Sequence, residues 1–436
     1  MQDPVPSQPS SPARPRRRRR TRAAAITSAL VLGAGLATVP AVPAAAGTAG
    51  NGYAKGHGKG PGNSAAGPVC SGRPAPTFGT AAPNTAVNGK FTAYGNSNAL
   101  LDDWTGADTT YSLKLSDGRL VYAYSDTFLG KVNADGSRPL TVDDGGTTPF
   151  INSSFVVQSA GGGLSTVHGG TAAAPEAVMP PPQPAHWYWA GDLTQSGSEI
   201  QQVYREYYDP DPTNGTGWDM KFKGNVLARF STGDLSEPTQ VRAMPSADGV
   251  QWGSALLKDG GHTYIYGTED YTDPETKVNT KYLHVARVLG SDLRGRWEYR
   301  TAAGWSWTET ASARLMSDVS NEFSVTRRGP HYIMVNQDTK IAFGAEIDVL
   351  LSCSAGGPFT AEQTVYSTPE TGAWGSYGDP DVYTYNAHQH ASLSSSGNLV
   401  ISYNVNSLDA TKGPENDNYR DVTIYRARYV NLPVSG

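Results

Sequence analysis

Short segments in which apolar and polar residues alternate follow one another from residue 98 to the C-terminus. The clearest runs over residues 111–115, turns at Asp117-Gly118 and returns over residues 120–124, which predicts a β-hairpin. Comparable pairs of segments recur at 187–189 with 202–204, 252–257 with 262–266, 323–325 with 332–335, and 391–393 with 399–403. No helical period of useful length is visible, so the pattern predicts an all-β fold.

The hairpins recur at a regular interval. One polar residue precedes the first strand of each pair, and these residues are Asp108, Asp192, Ser254, Glu322 and His390. Their spacings are 84, 62, 68 and 68, and the long first interval contains an insertion at 131–150. Five units of about this size, with four short strands each, predict a five-bladed β-propeller, and a pair of β-sandwiches is the alternative. In a propeller, the five polar residues would converge at one mouth of the central channel.

The amino-acid composition excludes several other classes of protein. The chain has 436 residues, with Gly 49, Pro 30, Trp 9 and Tyr 23, and only 17% are charged. Such a composition excludes coiled coils and disordered chains. Two cysteines cannot form a disulfide-dense scaffold or a cysteine-rich zinc site. In an exported protein a Cys70–Cys353 bridge is expected, with two separate thiols as the alternative.

The N-terminus predicts export. An arginine-rich stretch (14–22), an apolar run (23–42) and an Ala-Ala-Ala site (44–46) together predict a secretory signal peptide over 1–46, and a membrane anchor is the alternative. Residues 47–66 are expected to form a flexible low-complexity linker, and residues 67–436 a single catalytic domain. The mature protein is expected to be extracellular, monomeric and free of the membrane.

The net charge of the mature protein indicates which class of molecule it binds. The leader has seven Arg and one Asp, and the whole chain has a net charge of −5, so the mature protein has a net charge of −11. An acidic protein has no general attraction for nucleic acid or anionic lipid. Neutral polymers such as polysaccharides remain as expected partners, and no cofactor is expected.

The first hairpin carries a pair of acids. Asp108 and Asp126 lie nine residues on either side of Asp117, so they are expected to be cross-strand neighbours with Cβ atoms about 4.5–8 Å apart. Two close carboxylates repel each other, so that one pKa rises while the other stays low, as the acid and base of glycoside cleavage require. A backbone-binding loop carboxylate at 108 and a strand-end cap at 126 are the alternatives.

Further candidates surround this pair. Glu322 is a possible third catalytic acid, or else the partner of Arg314 or Arg426. His388 and His390 are expected on one face of a strand, where His390 would bind substrate, a channel water or an ion. A zinc site would need more ligands than these, so no metal site is predicted. The predicted substrate-binding residues are Trp104, Asp192, Trp252, Ser254, Tyr385, His388, His390, Asn404, Asn406 and Arg426.

Aromatic residues supply flat faces that suit a sugar, although core packing is the alternative for each one. The set is Trp104, Tyr111, Trp187, Trp189, Trp252, Trp305, Trp307 and Tyr385.

Several segments resemble a bacterial propeller family, formerly of unknown function, that includes endo-D-arabinanases. They are WTGAD (104–108), DGR (117–119), SDTFLG (125–130), INSS (151–154), SNEFSV (320–325), NAHQH (386–390), ISYNVN (401–406) and YRAR (425–428). The resemblance implies that Asp108 and Asp126 are the catalytic carboxylates. Ser125 stands where the family has Gly, and Tyr122 and Tyr124 stand where it has Trp and Phe. These departures indicate a divergent branch and leave the substrate open.

The favoured hypothesis is therefore a secreted glycoside hydrolase that cleaves a furanoside polysaccharide such as arabinan. The alternative is a lectin-like propeller that binds cell-wall glycan without cleaving it. A sialidase-like enzyme is disfavoured because the repeated S-x-D-x-G-x-T-W boxes are missing from the sequence.

Overall fold

The computed structural model describes residues 67–213 and 219–436. The predicted signal peptide and linker lie outside the described residues. The described chain is built almost wholly of β-strands, which confirms the all-β prediction.

The N-terminal part contains two short strands and a helix: β1 (Thr77–Phe78), β2 (Ala82–Pro83) and α1 (Thr85–Gly95). The sequence, in which no useful helical period is visible, therefore did not predict this helix. The helix begins where the Asn84 side chain accepts a hydrogen bond from the backbone N–H of Val87 (3.1 Å), and only Phe91 and Gly95 are buried. A helix that buries so few residues leaves no amphipathic pattern to read.

The next part of the chain forms nine strands: β3 (Trp104–Ala107), β4 (Tyr111–Lys114), β5 (Leu120–Tyr124), β6 (Thr127–Leu129), β7 (Phe150–Ile151), β8 (Ser154–Gln158), β9 (Leu164–Val167), β10 (Gly169–Thr171) and β11 (Ala174–Glu176). The first sheet has the strand order β4-β5-β8-β9. A smaller sheet contains β3, β6 and β7, and β10 and β11 form a separate hairpin. The predicted turn between β4 and β5 is present, and Gly118 adopts φ 92°, which a residue without Cβ tolerates.

The second to fourth sheets are antiparallel meanders in chain order. The second contains β12 (His186–Ser196), β13 (Glu199–Tyr208), β14 (Lys221–Ser231) and β15 (Gln240–Ala243). The third contains β16 (Gln251–Asp259), β17 (His262–Thr272), β18 (Asn279–Leu289), β19 (Trp297–Thr301) and β20 (Gly304–Ser306). The fourth contains β21 (Ser324–Arg328), β22 (His331–Gln337), β23 (Glu346–Ser352) and β24 (Thr360–Ser367).

The fifth sheet joins the two ends of the described chain. It contains β25 (Val382–Gln389), β26 (Asn398–Ser407) and β27 (Ala427–Ser435), and both β1 and β2 pair with β27. Thr77 lies opposite Ser435 and Ala82 opposite Asn431. The N-terminal strands thus cover the edge of the last strand, which would otherwise expose unpaired backbone groups. Short helical turns occupy Glu309–Ala311, Asp417–Arg420 and Val422–Tyr425.

An apolar cluster lies at each contact between neighbouring sheets, including the contact between the fifth sheet and the first. Phe155 of the first sheet meets Phe230 of the second edge to face, with ring centroids 5.2 Å apart. Each such buried ring contributes about 1.5–3 kcal/mol to stability. The cluster between the fifth and first sheets contains Tyr122, Val400 and Tyr429, with Phe91 of α1 packed against it.

Two strand predictions need correction. Residues 391–393 form a turn, and the first strand of the fifth sheet is β25, upstream of them. All eight residues of β25 are buried, so its sequence lacks the alternation by which half-exposed strands are recognised. β12 and β16 also begin before the predicted positions, so Asp192 and Ser254 lie inside these strands. His390 follows the end of β25.

The first strands of the second, third and fifth sheets share an irregularity in register. The shifts fall between Ala190 and Leu193, between Trp252 and Ala255, and between Tyr385 and His388. Such bulges bend a strand and redirect its side chains. By this register Asp192 and Ser254 correspond to Ala387, so His390 is not their equivalent.

The predicted bridge between Cys70 and Cys353 is present and spans a sequence separation of 283 residues. It fixes the start of the described chain to the end of β23. Among the described residues, no helix has the length and apolar character needed to cross a membrane.

Replacing both Cys70 and Cys353 by Ser is expected to lower the free energy of unfolding by about 2–4 kcal/mol, because a bridge across a long loop restricts the unfolded chain. Urea unfolding under oxidising conditions measures the effect, and dithiothreitol should lower the midpoint of the wild type to that of the variant. Equal midpoints for the oxidised wild type and the variant would contradict the prediction.

Candidate active site

The first hairpin places Asp108 opposite Asp126. The backbone N–H of Asp108 donates to the carbonyl of Asp126 (3.1 Å), and the N–H of Ser125 donates to the carbonyl of Asp108 (3.1 Å). The pair lies between the β4-β5 ladder and the β3-β6 ladder, in which Ala107 faces Thr127. Asp108 therefore lies opposite Ser125 and Asp126, so the two aspartates are cross-strand neighbours.

Glu322 of the fourth sheet reaches the same place. Thr109 adopts φ 53°, a strained backbone for a β-branched residue, and its hydroxyl donates to Glu322 Oε1 (2.8 Å). The strained turn directly follows Asp108, so it carries both the acid and the contact to the fourth sheet.

Asp126 is fully buried and accepts a hydrogen bond on each oxygen. Asn152 Nδ2 donates to Oδ1 (2.7 Å), and Trp189 Nε1 of the second sheet donates to Oδ2 (3.2 Å). Hydrogen bonds from neutral donors to both oxygens stabilise the ionised form of a carboxyl group.

The surroundings of Asp108 raise its pKa. Burial raises it well above the usual range, and the charges of Asp126 and Glu322 raise it further. The Tyr385 hydroxyl donates to Oδ2 (3.2 Å), and hydrogen bonds from Tyr385 and Tyr425 oppose the rise in pKa. Burial and the neighbouring acids thus favour the protonated form of Asp108.

Glu322 is also buried, and burial raises its pKa to about 7, while Arg205 and Thr109 oppose the shift. Arg205 lies 3.5 Å from Oε1, and Oε2 has no hydrogen-bond partner among the described residues. Glu322 thus pairs with a buried arginine, one of the alternatives expected from the sequence, but with neither Arg314 nor Arg426. Arg314 pairs with Glu269 (2.6 Å), and Arg426 donates to the carbonyl of Thr105 (2.6 Å).

Three further predicted residues lie near Asp108. Besides its bond to Asp108, the Tyr385 hydroxyl accepts from Asn406 Nδ2 (3.4 Å). Asn404 Nδ2 donates to the Thr110 hydroxyl (3.1 Å), two residues from Asp108.

Trp104 and Trp252 pack in apolar cores instead. The Trp104 ring lies against Phe91 (5.5 Å between centroids), with the Arg426 guanidinium 5.7 Å from its centre. The Trp252 ring lies against Trp297 (6.0 Å), and its indole N–H donates to Glu309 (3.0 Å). Core packing, the alternative for each aromatic residue, describes both tryptophans, and Arg426 is buried beside the first.

Asp192 and Ser254 connect neighbouring sheets. Asp192 accepts from the backbone N–H groups of Leu193 (2.8 Å) and Leu256 (2.6 Å), and burial raises its pKa to about 7. The carbonyl of Ser254 accepts from the Tyr111 hydroxyl (3.1 Å). Both contacts hold the first three sheets together.

His388 and His390 have adjacent rings, 5.5 Å apart, but neither contacts the three acids directly through a hydrogen bond. His388 Nδ1 donates to the carbonyl of Phe323 (2.9 Å), and burial lowers the pKa of His388 to about 4. His390 lies between the hydroxyls of Ser112 and Ser402, 2.8 Å from each. These rings link the fifth sheet to the fourth and the first.

An acidic cluster outside this site contains Asp338, Asp348 and Glu362, whose oxygens lie within 4.8 Å of one another. Lys340 pairs with Asp338 (3.9 Å) and with Glu362. The ammonium group offsets part of the negative charge and burial raises the pKa of Asp348 to about 7, so the cluster by itself is no evidence for a metal ion.

The sequence did not single out Arg205, Thr109 or Asn152 for a role in the site. Arg205 lies within a long buried strand, where a charged residue is costly unless paired. The position of this charged residue in the strand was the one feature of the sequence that indicated a role for Arg205. Asn152 falls in one of the segments that carried the family resemblance, but nothing local assigned it to Asp126.

Solved structures of similar architecture include a protein from Bacteroides ovatus whose name as a hydrolase is provisional, with 22% identity, 81% of this chain and 90% of that chain covered, and a TM-score of 0.63. A GH62 α-L-arabinofuranosidase catalytic domain from Coprinopsis cinerea has 11% identity, coverage of 76% and 92%, and a TM-score of 0.40. A GH43_1 enzyme from Xanthomonas citri has 13% identity, coverage of 80% and 93%, and a TM-score of 0.40. The first of these shows a shared fold.

A search of curated protein sequences gives no significant match. A family model described as a domain of unknown function (DUF5005) matches residues 88–433. This range includes every residue of the candidate site and most of the five sheets, without β1, β2 and the last two residues of β27, and the chain therefore belongs to the DUF5005 family.

Proposed function

We propose that this protein is a secreted glycoside hydrolase that cleaves a furanoside polysaccharide, with arabinan as the expected substrate. The observation that carries the proposal is the meeting of Asp108, Asp126 and Glu322, from distant parts of the chain, in one buried site. Burial and mutual repulsion give these carboxyls unequal proton affinities, which is what acid and base roles in glycoside cleavage need.

We also propose that the five sheets close into a five-bladed β-propeller. The apolar cluster between the fifth and first sheets supports closure, as does the hydrogen bond between His390 and Ser112. In such a ring, side chains at the starts of the blades face a shared axial cavity.

The environments of the carboxyls suggest their roles. Asp108, whose protonated form is favoured by burial, would donate its proton to the leaving glycosidic oxygen. Asp126, which accepts hydrogen bonds from Asn152 and Trp189, would attack the anomeric carbon or activate water. Glu322 would tune the proton affinity of Asp108 through its charge.

Substrate must reach acids that are nearly inaccessible, since Asp108 is 2% and Glu322 4% exposed. The Tyr385 hydroxyl occupies one oxygen of Asp108, so a sugar hydroxyl would have to replace or join it. The same low exposure favours the alternative of a lectin-like module that binds glycan without cleaving it.

Arabinan and export rest on the sequence. The resemblance to endo-D-arabinanases indicates the sugar, and the signal-peptide pattern indicates secretion. The disulfide supports an oxidising compartment. A monomer that binds polysaccharide, and neither nucleic acid nor membrane, completes the proposal.

Asp126→Asn is expected to lower hydrolysis by about 10²–10⁴-fold, because it removes the ionised carboxylate while keeping a similar shape and one acceptor. Purified mature protein is incubated with arabinans, galactans and fructans, and the released oligosaccharides are resolved by chromatography. Glycan affinity is expected to stay within a few fold of that of the wild type.

Asp117→Asn is the matched control, because Asp117 lies in the exposed turn of the same hairpin. Its activity should equal that of the wild type. Unchanged product release by Asp126→Asn would remove Asp126 from the mechanism. Binding without product release by the wild type, across the panel, would favour the lectin-like module.

Glu322→Gln is expected to move the upper limb of the pH profile of kcat/KM to lower pH. The charge of Glu322 raises the pKa of Asp108, so its removal lowers that pKa, and the acid loses its proton at lower pH. Initial rates between pH 4 and 9 on the cleaved polysaccharide measure the limb. An unmoved limb, with the fold intact by circular dichroism, would show that Glu322 does not tune the acid.

A further inference from the structure

A small pocket lies between the fourth and fifth sheets, and two of its lining residues connect it to Asp108 and Glu322. It has a volume of about 10 Å³, the space of one water-sized group, and its lining includes Asn321, Gln337, Phe343, Tyr385 and Asn386. Tyr385 donates to Asp108, and Asn321 precedes Glu322 in the chain. The Tyr385 side chain therefore links the pocket to Asp108.

The pocket contains polar atoms with unused hydrogen-bonding capacity. Gln337 Oε1, Asn321 Oδ1 and Asn386 Nδ2 are buried without a hydrogen-bond partner among the described residues. Gln337 and Asn386 are each only 3% exposed. Buried polar groups are satisfied in most proteins, so three unsatisfied atoms around one pocket indicate a ligand.

The amide of Gln337 has a fixed orientation. Its Nε2 donates to the carbonyl of Gly344 (2.8 Å) and lies 3.5 Å from the Thr384 hydroxyl. The acceptor Oε1 is therefore the atom left over.

Two lining residues adopt a strained backbone. Asn386 has φ 58° and Phe343 has φ 56°, in the left-handed region that non-glycine residues seldom occupy. Asn386 also lies in the β25 bulge, which turns its side chain away from the regular strand position. Strained residues of this kind cluster at ligand sites, where the surrounding structure holds them in place.

The chemistry of the lining selects a neutral group that both donates and accepts hydrogen bonds. A hydroxyl group donates one hydrogen bond and accepts up to two, so it pairs with the Asn386 donor and with one of the two amide oxygens. A phosphate or carboxylate would meet two acceptors and the carboxylate of Asp338, which also lines the pocket. An ammonium ion would meet the N–H donor of Asn386.

We infer that this pocket binds one hydroxyl group of the sugar unit held beside Asp108, with Asn386 Nδ2 as its donor and Gln337 Oε1 as its acceptor. The inference rests on the proposed function, because that function supplies a sugar at Asp108. These two amide side chains then determine specificity, since a sugar without this hydroxyl leaves them buried and unpaired.

The probes are methyl α-D-arabinofuranoside and its 2-deoxy, 3-deoxy and 5-deoxy analogues, with affinities from saturation-transfer NMR titrations. The wild type is expected to bind one of the three analogues about tenfold more weakly than the parent glycoside, the effect of one lost hydrogen bond. Asn386→Gly is expected to bind the parent and that analogue equally.

Glycine at 386 removes the donor and tolerates the positive φ, so the variant is expected to fold. Lys277→Gly is the matched control, because Lys277 also has a positive φ of 60° but lies exposed in a turn of the third sheet. The control should discriminate between parent and analogue as the wild type does.

Equal binding of the parent and all three analogues by the wild type overturns the inference. So does undiminished discrimination by folded Asn386→Gly, or failure of the parent glycoside to bind. The proposed function is tested separately, by product release. Discrimination without hydrolysis would contradict the hydrolase and leave the hydroxyl pocket in place, whereas hydrolysis without discrimination would do the reverse.

Discussion

The cost of burying three carboxyl groups together is the constraint on which this site depends. Asp108, Asp126 and Glu322 are almost completely removed from solvent, and all three cannot be charged without compensation. Each carboxyl group therefore depends on its neighbours. Asp126 accepts hydrogen bonds from Asn152 and Trp189, Arg205 pairs with Glu322, and burial favours the protonated form of Asp108.

This arrangement needs groups from several sheets. Asp108 and Asp126 come from the first sheet, Trp189 and Arg205 from the second, and Glu322 precedes the first strand of the fourth. The Arg205 guanidinium also donates to the carbonyls of Ala190 (2.6 Å) and Asn321 (3.3 Å), so it fixes the distance between the second and fourth sheets. The apolar contacts between sheets hold these groups in place, so the fold and the electrostatics of the site depend on each other.

The sequence predicted what local pattern determines. The hairpin from Tyr111 to Tyr124, the pairing of Asp108 with Asp126 and the Cys70–Cys353 bridge all follow from alternation, turn residues and cysteine number. What depends on contacts between distant sheets was missed or wrong. A buried arginine was one expected partner of Glu322, but without coordinates nothing pointed to Arg205 as that arginine. The start of β25 was misplaced because a fully buried strand with polar residues does not alternate. Trp104 and Trp252 have the flat faces that suit a sugar, but both pack in apolar cores, which the sequence alone does not show.

A raised pKa alone does not identify the functional carboxyls of this protein. Burial raises the pKa of both Asp192 and Glu322 to about 7, yet their surroundings differ. Both oxygens of Asp192 accept backbone hydrogen bonds, so its capacity is used up in joining the second and third sheets. Glu322 differs, because its Oε2 is buried without a partner among the described residues. Asp108 contacts the hydroxyls of Tyr385 and Tyr425, which are side-chain groups and not the backbone of a strand. A structural acid gains nothing from an unpaired oxygen and loses the free energy of a hydrogen bond. The unused hydrogen-bonding capacity of Glu322 thus distinguishes it from Asp192, which joins two sheets, although the pKa of both is raised.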